Sequence, residues 1–175
     1  MVTTSPAQPP SGYRPDKFVA FSGDPTGAYD PVFGNRVTKS HNLATDNVDL
    51  FTVTGKVAIT LLHGEVTTIV GGAATYAMRV KTSGEAIFAA TTIDTDAAGT
   101  MYLFSGDPTV VLNNAGTPVT RVAFADSFAP LTPLIVGLAG GSLTIESDLD
   151  AADTGVILWT LYWKPQESGG LVVAA

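Results

Sequence analysis

The sequence predicts an all-β protein: a β-sandwich or jelly-roll body of about nine to ten short antiparallel strands, preceded by an extended N-terminal arm. Three observations predict it. Runs rich in Val, Ile, Thr and aromatic residues recur at spacings of roughly 8–14 residues, separated by Gly, Pro, Asn, Asp and Ser. No segment sustains a 3.6-residue apolar period, so βαβ units have no support. Threonine is abundant at 23 residues, mostly beside Val, Ile or Ala, where its β-branching suits a pleated strand.

Residues 1–46 form the predicted arm and 47–175 the body. Six of the eleven prolines fall in the first 31 residues, and no alternation or helical period runs through to Asp46. The aromatics Tyr13, Phe18, Phe21, Tyr29 and Phe33 are too numerous for a plain linker and suggest an arm that docks on protein. The stretch MVTTSPAQPPSGYRP lacks an apolar signal-like core, so a secretory leader is not expected.

The body begins with VDLFTVT, which meets a turn signal at Gly55-Lys56. KVAITLLHGEVTTIV then runs to Gly71-Gly72. TYAMRVK and AIFAATT flank Thr82-Ser83-Gly84-Glu85 and read as a hairpin. MYLF, VVLN, VTRVAFA, IVGLA, SLTIES, VILWTLYW and LVVAA complete the set. Most show one wet face; in TYAMRVK, Tyr76, Met78 and Val80 oppose Arg79 and Lys81. VILWTLYW differs, since both Ile157/Trp159/Leu161/Trp163 and Val156/Leu158/Thr160/Tyr162 are largely apolar. Such a strand is either covered on both sides within the subunit or packs its second face on another subunit. The hexapeptide FSGDPT occurs at Phe21–Thr26 and Phe104–Thr109, a repeated turn rather than a duplicated domain.

Composition narrows function. Charged residues are 14% of the chain, against about 25% in ordinary globular domains. A body with so few charges is either coated in neutral Thr and Ser or covered by neighbouring subunits. Net charge is −7, carried by residues 47–175, while residues 1–46 balance Arg14, Lys17, Arg36 and Lys39 against four acids. An acidic body does not suit nucleic acid, whose phosphates need clustered Lys and Arg. No run approaches the ~18 apolar residues of a membrane-spanning helix. There is no cysteine, so disulfides and thiolate sites are excluded.

No catalytic residue or cofactor site is predicted. His41 and His63 stand apart with no metal-ligand spacing, and no nucleophile elbow or phosphate loop is present. A small hydrolase would need one of these histidines beside a carboxylate in a pocket. Two acidic loops are weak calcium candidates, through Asp94 and Asp96 in IDTDAAGT and Asp148 and Asp150 in ESDLDAAD. Trp159, Tyr162 and Trp163 would stack on sugar if exposed, and belong to the core otherwise.

Three stretches carry a likeness: VDLFTVTGKVAITLLHGEVTT at 48–68, IDTDAAGTMYLFSG at 93–106, and DTGVILWTLYWKPQESGGLVVAA at the C-terminus. The body resembles tailed-phage virion structural proteins, the capsid decoration (cement) and related head and tail proteins. The resemblance implies a non-enzymatic component of the virion, made in the bacterial host cytoplasm. Its expected partners are itself, as a homotrimer, and the major capsid protein, with no nucleic acid and no membrane. Expected contact residues are Tyr13, Arg14, Lys17, Phe18, Phe21, Tyr29, Phe33 and Arg36 in the arm, and Leu158, Trp159, Tyr162 and Trp163 in the two-sided strand. The alternative is a minor tail or head-fibre module that binds host carbohydrate, which requires Trp159 or Trp163 exposed in a groove.

Overall fold

The computed structural model describes residues 32–72, 74–104, 106–110, 112–114 and 133–175. The described residues are all-β, as the alternation predicts, and hold nine strands. The nine form one antiparallel sheet: β1 (Asn35–Asn42), β2 (Asp49–Thr68), β3 (Thr75–Val80), β4 (Ala86–Thr92), β5 (Met101–Leu103), β6 (Asn113–Asn114), β7 (Leu134–Leu149), β8 (Val156–Pro165) and β9 (Leu171–Ala174). The main order is β1-β8-β2-β7-β3-β4, with β5 and β9 also on β2, and β6 on β5.

The long strand β2 organises the fold. Its first half lies between β7 and β9, and its second half between β8 and β5. Side chains from β8 and β3, which β2 and β7 separate in the sheet, meet face to face. The Trp159 and Tyr76 rings stack at 5.4 Å, and Phe88 of β4 lies 5.8 Å from Trp159. The sheet therefore curls over itself as a sandwich does, and buries a core that includes Leu50, Phe51, Leu62, Met78 and Ile145.

Two expected turns are bulges instead. Gly55 does not end a strand, because β2 runs through it with φ +65°. Opposite it, the register of β7 jumps from Leu138 to Ser142, leaving Ala139–Gly141 as extra residues. On the other side Gln166–Gly170 bulges between β8 and β9, which follow one another along β2. Bulges in adjacent strands bend a sheet without breaking its pairing. Glu167 fastens this corner, its Oε1 accepting from the Lys56 amide at 3.1 Å. Gly137 is required there, since a Cβ would sit 2.0 Å from the Gly55 carbonyl oxygen and φ is +140°.

The arm boundary also moves. Residues 35–42, expected within the arm, pair along their whole length with β8. The inward face of β1 is made of Asn35, Val37, Lys39 and His41, too polar a pattern to read as a strand. Arg36 and Lys39 are thus sheet residues, and the Lys39 ammonium donates to the Ala175 carbonyl oxygen. Tyr13, Arg14, Lys17, Phe18, Phe21 and Tyr29, and the strand expected at VTRVAFA, lie outside the described residues.

Candidate interaction surface

His41 is committed inside the fold, where it is 1% exposed. Its Nε2 lies 3.0 Å from the Thr45 carbonyl oxygen, which only accepts, so Nε2 carries the proton. Nδ1 then accepts from the Tyr76 hydroxyl at 2.9 Å, and that hydroxyl accepts from the Trp159 indole N–H at 3.0 Å. Burial holds the His41 pKa below its ordinary value, partly opposed by the Thr45 hydrogen bond. Burial likewise raises the Tyr76 pKa. Both ring nitrogens are occupied, so His41 has no lone pair facing a substrate.

His63 lies on the outer face of β2, stacked on Tyr162 at 6.3 Å. Burial lowers its pKa, Glu65 opposes that shift and Arg36 adds to it. Its Nδ1 is buried and has no hydrogen-bond partner among the described residues.

The four acidic candidates are dispersed. Asp94 is exposed in its loop, whereas Asp96 is buried and accepts from the Tyr102 hydroxyl at 2.6 Å. Asp148 pairs with Arg79, which also holds Glu146. Asp150 binds the Thr75 amide and hydroxyl at 2.7 and 2.8 Å, tying the start of β3 to the end of β7. Among the described residues no three His, Asp or Glu side chains converge as a metal site would require.

The two-sided strand β8 resolves by parity. Trp159 and Trp163, expected as contact or sugar-stacking residues, are 0% and 5% exposed and belong to the core. Their face turns inward, where the Trp159 ring packs on Tyr76, Phe88 and Tyr102. Leu158 and Tyr162 lie on the opposite face, half-buried. Tyr162 sits across from Arg36 and meets the Phe33 ring at 5.6 Å. The structure thus gathers Phe33, Arg36 and Tyr162 on one outer surface.

A second surface escaped the sequence reading. Leu134–Leu138 of β7 pairs with β2 on one edge and with no described strand on the other. That edge faces the β3–β4 turn across a groove of about 530 Å³, lined by Leu134, Ile135, Leu138 and Leu143 with Val80 and Ile87. Ile135 and Leu138 are 57% and 58% exposed. Glu85 is the single charged residue in the lining. The available signal was the run Pro133–Ser142, ten residues without a charge. Ordinary edge strands carry charges or Pro that discourage pairing, and this one has Pro133 alone, just before it.

Comparison with family models, curated proteins and solved structures gave no match.

Proposed function

We propose that this protein is a non-enzymatic structural component of a tailed-phage virion, a capsid decoration (cement) subunit. It stabilises the head by self-association, as a homotrimer, and by contacts of its N-terminal residues with the major capsid protein. One contrast in the body supports an assembly role. The buried histidine and tyrosine are locked in a closed hydrogen-bond chain, while exposed apolar side chains line the Leu134–Leu138 edge, which pairs with no described strand. Strand edges bind other chains through backbone hydrogen bonds and need no charge, which suits a chain that is 14% charged. The phage placement rests on the sequence likeness of the three stretches in the body. Arg14, Lys17 and Arg36 supply positive charge for an acidic capsid surface, although exposed pairs are worth little individually.

The carbohydrate-binding alternative loses its platform, because both tryptophans are buried. The assembly reading is tested by mixing the purified protein with heads of the same phage that lack it, then sedimenting. Saturable co-sedimentation, with greater resistance of the heads to heat, is expected. Heads that leave the protein in the supernatant at every concentration would contradict it.

A further inference from the structure

We propose that His63 is a pH-operated latch on the outer face of the sheet. Neutral, its ring lies on Tyr162; protonated, it turns off that ring and pairs with Glu65, which leaves the Tyr162 face open. The inference does not depend on the virion reading.

The neutral state follows from how the ring is held. The His63 and Tyr162 rings stack at 6.3 Å and 29°, across the pairing of β2 with β8. In that position Nδ1 is buried with no hydrogen-bond partner among the described residues. A proton there would be a buried donor without an acceptor, so the neutral ring carries its proton on Nε2. Protonation must fill Nδ1 as well, and the stacked position gives that second N–H nothing to donate to. Arg36, across from Tyr162 on β1, adds a like charge that opposes an imidazolium in the same place.

The protonated state has a partner within reach. Glu65 stands two residues on, so the pleat puts it on the same face of β2, about 7 Å away. It is exposed and makes no ion pair among the described residues. The neighbouring strand β5 adds no charge here, since Leu103 lies across from His63 and Met101 across from Glu65. On β8, Thr160 lies across from His63, and Lys164 is farther along the same face, beyond Tyr162. The backbone takes no part. Gly64, between the two side chains, lies across from Trp159, whose ring a Cβ would meet at 2.9 Å. With Gly64 pinned, the change is a rotation of the His63 side chain alone. One position is favoured by aromatic stacking and the other by an ion pair, and the proton decides between them. Turned off Tyr162, His63 enlarges the open aromatic part of the surface that Phe33, Arg36 and Tyr162 share.

Proton NMR of the full-length protein from pH 8 to pH 5 tests this, through the His63 ring signals and the cross-peaks between the His63 and Tyr162 rings. Those cross-peaks are expected to weaken at least about fivefold as His63 titrates, with the same midpoint, below 6.5. Glu65→Gln is expected to lower that midpoint by about half a unit or more, and Arg36→Gln to raise it. In His63→Gln the Tyr162 signals are expected to stay constant over the range, which separates the latch from general loosening in acid. Cross-peaks that persist through the titration would overturn the proposal, and so would a His63 that stays neutral to pH 5. Tyr162 signals that move equally in His63→Gln would overturn it as well.

Discussion

The indole N–H of Trp159 donates to the hydroxyl of Tyr76 at 3.0 Å, with both side chains fully buried. The same hydroxyl donates to His41, which in turn donates to the Thr45 carbonyl oxygen. The chain joins β8, β3, β1 and the β1–β2 loop, so it fixes how the two faces of the sandwich register. Tyr76→Phe keeps the ring stacking but strands the Trp159 donor and leaves His41 Nδ1 unpaired. A loss of about 1–3 kcal/mol is expected in urea unfolding, with the denaturant dependence unchanged.

Acid sensitivity follows from the histidines. His41 and His63 both have folded-state pKa values lowered from 6.5, mainly by burial. Above pH 6.5 neither state of the protein binds the extra proton, and their contribution to stability is complete. Below it the unfolded chain takes up protons that the folded chain refuses, so stability falls until the folded-state pKa values are passed. Unfolding curves from pH 8 to pH 5 should show this decline. His41→Gln should flatten its share of the slope, and an unchanged slope would refute the assignment of His41 as a buried neutral group.

The corner at Gly55 can be tested by contrast. Gly137→Ala adds a Cβ 2.0 Å from a backbone oxygen at φ +140°, while Gly84→Ala at φ +72° meets nothing within 4 Å. The first should cost about 2–6 kcal/mol or prevent folding, because neither backbone can yield. The second should cost only the left-handed backbone penalty, about 1–2 kcal/mol. Thermal melts of the two variants measure the difference.

The strand content was legible because alternation is local. The hairpin of β3 and β4 and the closing strand β9 stand where the pattern places them, whereas the inward turn of the Trp159 and Trp163 face was not legible, because both faces of β8 are apolar in sequence. Gly55 and the Ala139–Gly141 stretch misled, because a glycine that serves a bulge looks the same in sequence as one that serves a turn. β1 was missed since its inward positions include Lys39 and His41, whose acceptance depends on Ala175 and Tyr76, far away in the chain. The groove edge was missed for a related reason: whether IVGLA is paired on one side or both is decided by distant strands, not by its own residues.

The assembly account is tested most directly by light scattering behind size exclusion on the full-length protein. It predicts a stable species of three times the 18.1 kDa chain mass, unchanged by dilution through the low micromolar range. A single 18.1 kDa species at every concentration would contradict it.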